Sequence, residues 1–474
     1  MDAVARALAT NEARYLTELA ELVAIPTVST DPAFAGDVRR GVQWIVDRLH
    51  RAGLADASMW ETARHPAAFA RWDGAPGAPT VLVYGHVDVQ PADPVGAWHT
   101  PPFVLTERDG RLFGRGVSDD KASMLQPILA AEAFLSTGTP PPVNLRFLIE
   151  AEEEIGSANL PALVRAHRDA LSCDVVLSAD GGMWRADAPS VTVSSRGLVP
   201  LTFTVVGAAK DLHSGRHGGG VANPLHAAAA LVASLHVDGR VAVDGFYDDV
   251  EPMSSDMIAS LERLPFDEAR YLAEVGAPAP VGEPGYGMLA RQWYRPTLEV
   301  NGLWGGYQGP GSKTVIPSEA HVKITCRLVA NQEPAAIAAL VRRHLEERCP
   351  PGVRLVFGET GHGAKAYRVS TSSPAVRAAF EALAGECGTM PDIVGMGGTI
   401  PITETFRDVL GVDTVFFSFS VADEDIHAPN EFYRLDRFGL GLRAWARLWR
   451  TLGPMGRGLG RDTEAREVAR SGDR

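Results

Sequence analysis

Apolar residues recur at helical spacing through the opening segment as far as Leu22 and stop before Pro26, which predicts an amphipathic helix. A second helix is predicted from about Asp37, with Val42, Ile45, Val46 and Leu49 on one face and Gly53 past its end. The run Thr80-Val81-Leu82-Val83-Tyr84 reads as a buried strand that ends abruptly in Gly85-His86-Val87-Asp88. Thr106 to Phe113 reads as a hairpin around Asp109-Gly110. A helix from about Lys121 to Leu135 follows, then a strand Asn144 to Ile149 running into the acidic cluster Glu150 to Glu154. A helix from about Leu160 and a strand Asp174 to Leu177 complete an alternating β/α region, the pattern of a largely parallel sheet covered by helices.

From about Arg196 the pattern changes. Leu201 to Val206 is strand-like, a glycine-rich loop spans Gly215 to Gly220, and a helix runs near Leu225 to Leu235. After a Pro/Gly-rich, acidic stretch from Asp244 to Gly287, strands appear near Thr297 and Ala320. In Ala320 to Val329 the alternation is clean, with His321, Lys323, Thr325 and Arg327 on one face and Val322, Ile324, Cys326 and Leu328 on the other. That predicts a sheet with one wet face. A helix (Ala335 to Glu347) and a strand (Arg354 to Phe357) close this part. The α/β pattern then resumes with helices Ala375 to Gly385 and Ile402 to Leu410, a strand Thr414 to Phe419, and a helix Phe438 to Leu452. The expected architecture is an α/β domain with a mixed, largely parallel sheet (1–195 and 363–452), interrupted by an inserted α+β domain (196–362). The Gly- and Arg-rich remainder (453–474) is expected to be a disordered tail.

Composition narrows the function. Of 474 residues, 45 are Lys or Arg and 58 Asp or Glu, a net charge of −13, and no basic stripe exists to neutralise phosphates. Nucleic acid is thus excluded as a partner. The sequence has no apolar run long enough to span a membrane and no secretory h-region near its start. Its four cysteines are widely separated, without a C-x-x-C pair, which argues against a disulfide framework. A cytoplasmic enzyme is the expectation.

Open α/β sheets place their sites beyond the carboxyl ends of the strands. There this chain presents His86 and Asp88, Ser118-Asp119-Asp120-Lys121, Glu152-Glu153-Glu154, Asp180 and, far downstream, Asp425-Ile426-His427. Alone, each is an ordinary surface turn or helix cap. Together, two imidazoles and several carboxylates converging on one crevice suit zinc, cobalt or manganese. Rival motifs fail. Gly306 to Thr314 imitates a phosphate loop, but Ser312 interrupts the Gly-Lys pair and a strand follows where a helix is required. His213 and His217 lack the zincin glutamate, and the glycines around them argue against a helix. No G-x-S-x-G elbow exists.

The segments Tyr84-Gly85-His86-Val87-Asp88-Val89-Gln90-Pro91, Gly114-Arg115-Gly116-Val117-Ser118-Asp119-Asp120-Lys121, Glu150 to Ser157, Lys210-Asp211-Leu212-His213-Ser214-Gly215 and Gly397-Gly398-Thr399-Ile400-Pro401 resemble metallopeptidase family 20. The resemblance extends from about Leu16 to Leu452 and is strongest to its carnosinase and cytosolic nonspecific dipeptidase branch. It implies a zinc-peptidase-like catalytic domain holding two divalent ions, zinc first with manganese or cobalt as alternatives, and an inserted domain that forms a lid and a homodimer. It also implies roles. His86 and Asp180 would hold one metal, Glu154 and His427 the other, and Asp119 would bridge them across a cis Asp119–Asp120 peptide bond. Asp88 would accept the second ring N–H of His86, and Glu153 would be the general base. His213, contributed by the partner subunit, would contact substrate together with Thr314, Arg327 and Thr399, while Glu152 is left without a role. The implied activity is hydrolysis of a dipeptide or short peptide with a free carboxylate. The alternatives are an N-acyl amino acid deacylase or carbamoyl amidohydrolase on the same scaffold, and a non-catalytic binding protein.

Overall fold

The computed structural model describes residues 2–359, 363–457 and 459. The chain divides into two compact units. One is built from the residues up to Val193, Val369–Val394 and the chain from Ile402 onward; the other comprises Ser194–Arg368 and Gly395–Pro401.

The first unit is organised around six strands, in spatial order Ser58–Trp60, Ala67–Trp72, Asn144–Glu150, Thr80–His86, Val175–Ser178 and Thr414–Phe416. The last four are parallel to one another, and the first two run antiparallel at one edge. This is the mixed, largely parallel α/β sheet expected. Thr80–His86 lies inside it and is buried on both faces, which is why its sequence is an unbroken apolar run and not an alternation. Around the sheet, helix Ala3–Val23 starts where the Asp2 carboxylate accepts from the Ala5 N–H (2.9 Å). It buries Val4, Leu8, Tyr15, Leu19 and Leu22, the stripe visible in the sequence. It packs on helix Ala122–Ser136, as does the last helix, Leu435–Leu452. Arg48, fully buried on helix Ala35–Arg51, ties these layers together by pairing with Glu18 (2.7 Å) and Glu132. The expected hairpin is present as Thr106–Arg108 and Arg111–Phe113, with Asp109 and Gly110 at positive φ (54° and 70°).

The second unit carries an antiparallel four-stranded sheet ordered Thr297–Gly305, Glu319–Leu328, Gly197–Val206, Arg354–Phe357. Glu319–Leu328 buries Val322, Ile324, Cys326 and Leu328, and turns Lys323 to solvent. Helices Pro224–Ser234 and Pro334–Glu347 cover the apolar face, in a core that includes Phe203, Leu231 and Val341.

Two local expectations need correction, and the acidic stretch proves structured. The acidic stretch contains helices Ser255–Arg263 and Glu268–Glu274, begun by Ser254 and Asp267, whose side chains accept from the Met257 and Arg270 amides. They bury only Met257 and Ser260 between them, so little of either helix enters a core. Ser214–His217 does form one helical turn, because a single turn needs little propensity once its first residue is capped. The strand expected to reach Phe419 ends at Phe416. Of the tail expected from Gly453, Gly453–Met455 forms a short 3-10 turn; 458 and 460–474 lie outside the described residues.

Candidate metal centre

In the first unit the parallel strands end side by side, and each delivers an ionisable residue. His86 is the last residue of Thr80–His86. Gly85 before it is required by space: a Cβ there would lie 2.8 Å from Asp120 Oδ2 and 2.9 Å from Met124 Cγ. Glu153 and Glu154 follow Asn144–Glu150 on a short 3-10 turn, and Asp180 follows Val175–Ser178. Asp119 sits in the irregular turn Val117–Lys121, behind a cis Asp119–Asp120 peptide bond. His427 comes from the loop after Thr414–Phe416, with a left-handed backbone (φ 64°) uncommon for a residue with a side chain.

Asp119 is the centre of the cluster. Its Oδ1 lies 3.0 Å from His86 Nε2, and its Oδ2 lies 3.0 Å from His427 Nε2. His427 Nε2 is also 3.2 Å from Glu154 Oε2. Two potential ligand groups share this carboxylate: His86, Asp119 and Asp180, and Asp119, Glu154 and His427, with all donor atoms of each group within 4.8 Å of one another. Every donor is an imidazole nitrogen or a carboxylate oxygen, the set preferred by zinc and its neighbours. Asp119, Glu153, Glu154 and Asp180 face only two imidazoles, so the cluster is negatively biased and fits divalent cations.

The electrostatics follow from that crowding. Burial pushes Asp180 up to about 6, with Asp119 and Glu154 adding repulsion. Glu153 is driven well above the ordinary carboxylate range, mainly by burial and further by Asp180, Asp119 and Glu154. Asp119 goes the other way: burial opposes ionisation, but hydrogen bonds from His427 and His86 outweigh it and hold it low. The hydrogen bonds to Asp119 and Glu154 raise His427 to about 10. Glu153 belongs to neither ligand group. It stands beside the cluster with a carboxyl poised to bind a proton.

The resemblance implies that Asp88 accepts the second ring N–H of His86, and the nearer of its two acceptors is the backbone carbonyl. The Nδ1–H of His86 donates to the backbone carbonyl of Asp88 (3.0 Å), with the carboxylate farther away at 3.5 Å. The carboxylate instead accepts from the Glu153 and Glu154 amides (3.2 and 3.1 Å). One buried residue therefore fixes the His86 tautomer with its carbonyl and the Glu153–Glu154 turn with its side chain. Glu152 is fully engaged by Thr62, His65 N–H and Asn159, and so plays a scaffolding part.

Two buried acids escaped the sequence reading. Glu431 accepts from the amides of Gly116, Ser118 and Asp119 (2.9, 2.9 and 3.2 Å) and from Arg115 (2.7 Å). Glu424 accepts from Ser118 Oγ (2.6 Å). Together they hold the Asp119 turn from a segment more than 300 residues away. The only signal was their closeness to His427 in sequence.

The remaining candidates lie in the second unit as two pairs. His213 and Thr314 are exposed neighbours on the ribbon formed by Leu212–His213 and Val315–Ile316, and His213 Nδ1 accepts from the Gly215 amide (3.0 Å). Arg327 Nη1 donates to Thr399 Oγ1 (2.9 Å).

The model of peptidase family M20/M25/M40 matches residues 82–451. The chain belongs to that family. Among its relatives, the Beta-Ala-His dipeptidase of Homo sapiens is 31% identical over 436 residues, covering 88% of this chain and 86% of that protein. The Cys-Gly metallodipeptidase dug1 of Schizosaccharomyces pombe is 30% identical, covering 90% and 93%. Among solved structures, the di-peptidase Dug1p of Saccharomyces cerevisiae superposes with a TM-score of 0.78 at 27% identity, over 95% of this chain and 98% of that one. Human carnosine dipeptidase 1 gives 0.77 at 29%, with the same coverage. Family membership and fold thus agree with the α/β-plus-insertion architecture read from the sequence.

Proposed function

We propose that this protein is a metal-dependent dipeptidase, hydrolysing the peptide bond of dipeptides or short peptides that carry a free C-terminal carboxylate. The observation that carries the reading is Asp119, whose two oxygens each face one imidazole at 3.0 Å while Glu153 waits beside them unligated. His86 and Asp180 would hold one divalent ion, Glu154 and His427 the other, and Asp119 both, with zinc the first choice and manganese or cobalt alternatives. Such a pair supplies Lewis-acid polarisation of the scissile carbonyl and a lowered pKa for the attacking water.

The chain's own residues do the rest. Glu153, raised in pKa and held in place by Asp88, takes a proton from the water and returns it to the leaving amine. Arg327 has guanidinium nitrogens left after its bond to Thr399, enough to clamp a carboxylate. The Gly215 amide occupies His213 Nδ1, so the proton of a neutral ring sits on Nε2, where it can meet an oxyanion. We place His213 and Thr314 in the active site of the partner subunit of a homodimer, with the first unit catalytic and the second serving as lid and dimer domain. The four cysteines are free thiols, in keeping with a reducing cytoplasm.

The test is a panel of dipeptides and N-acetyl amino acids, assayed after stripping the protein of metal and restoring single divalent ions. Hydrolysis of dipeptides, absent without metal and regained with zinc, manganese or cobalt, is expected. Preferential turnover of the acyl or carbamoyl amino acids would replace dipeptidase by deacylase.

A further inference from the structure

Arg196 lies between the strands Ser190–Ser195 and Gly197–Val206, outside every functional motif in the chain. Its backbone N–H donates to the carbonyls of Met396 (3.2 Å) and Gly398 (2.9 Å), and its Nε donates to the carbonyl between them, Gly397 (3.0 Å). One residue therefore holds three successive carbonyls of the glycine loop. A Cβ on Gly397 would come within 3.2 Å of Arg196 Nη2, so the loop is shaped around this guanidinium. Directly after the held stretch comes Thr399, the hydrogen-bond partner of Arg327. Arg327 itself pairs in register with Leu198, two residues beyond Arg196. Two guanidiniums thus bracket one short loop.

Neither forms an ion pair with a carboxylate of the described residues. Burial first, and then the charge of Arg327, push Arg196 down to about 10, and the acidic group acting against this is the exposed Glu299. Burial lowers Arg327 as well. Two partly desolvated cations without counter-ions cost free energy, and an anion seated between them relieves it.

We infer that Arg196 is a positioning residue of the substrate-carboxylate subsite. It fixes the Met396–Thr399 loop and sets a second positive charge beside Arg327, so that the enzyme demands an anionic C-terminus. This rests on the reading of Arg327 and Thr399 as the carboxylate clamp of a dipeptidase.

The experiment compares KM and kcat for a dipeptide and its C-terminal amide in the wild type, Arg196→Met and Arg196→Lys, with thermal unfolding as a control. In Arg196→Met, KM for the dipeptide should rise about tenfold or more, the scale of one charge-assisted interaction, while KM for the amide rises much less. Arg196→Lys keeps the charge and loses the Nε bond to Gly397; it should shift KM in the same selective way but less, and it decides the matter if Arg196→Met does not fold. Variants that retain the wild-type preference, or slow both substrates equally, overturn the role of Arg196 alone. A wild-type enzyme indifferent to amidation overturns the clamp, and this inference with it.

Discussion

Glu153 and Glu154 are adjacent in sequence and identical in chemistry, yet the turn Glu153–Ile155 gives them different surroundings. Glu154 reaches His427 and accepts from Gln90 (2.8 Å), whereas Glu153 is in neither ligand group. Glu153→Gln preserves shape and removes the proton acceptor. Turnover should fall by about 10²–10⁴-fold, the usual loss for a general base, with bound metal per subunit unchanged by elemental analysis. Loss of metal in this variant would instead make Glu153 a ligand. The resemblance implies this register through the family's Glu-Glu-x-Gly-Ser, and the geometry puts Glu154, not Glu152, in a ligand group. The division of labour inside Asp88 was not legible in the sequence: whether its carbonyl or its carboxylate meets His86 depends on backbone angles that residue identity does not specify.

Arg48 shows how elements are held together beneath the site. It is buried on Ala35–Arg51, between Glu18 of the first helix and Glu132 of Ala122–Ser136, and the last of these helices is entered from the Asp119 turn. Arg48→Met would leave two largely buried carboxylates with only the more exposed Arg14 as an ion-pair partner among the described residues. Urea unfolding should show a loss of up to about 3–5 kcal/mol, the cost of breaking a buried pair from one side, while a change below about 1 kcal/mol would mean that Arg14 and water compensate both acids. Helices with a wide apolar face, such as Ala3–Val23 and Leu435–Leu452, were visible as periodicity. Ser255–Arg263 and Glu268–Glu274 were not, since short helices with little buried surface are defined by caps and neighbours more than by pattern.

At the scale of the whole molecule, the proposed dimer can be tested by complementation. His213→Ala and Glu153→Gln homodimers should each be nearly inactive. Mixed under conditions of subunit exchange they should regain activity, since a heterodimer has one site combining an intact Glu153 with the His213 of the neighbouring subunit. Exchange verified by mass spectrometry without recovered turnover would eliminate the shared site. By itself the sequence determined the α/β class, the buried strands and the ionisable residues at their ends. These follow from hydrophobic period and from the rule that parallel sheets carry chemistry beyond their carboxyl edges. Only the tertiary structure decided that Glu431 and Glu424 hold the Asp119 turn, that the Asp88 carboxylate supports the turn carrying Glu153 and Glu154, and that Arg196 grips the loop beside Thr399. Those contacts join positions tens to hundreds of residues apart, and the pattern along a chain carries no record of which distant polar group will satisfy a buried amide.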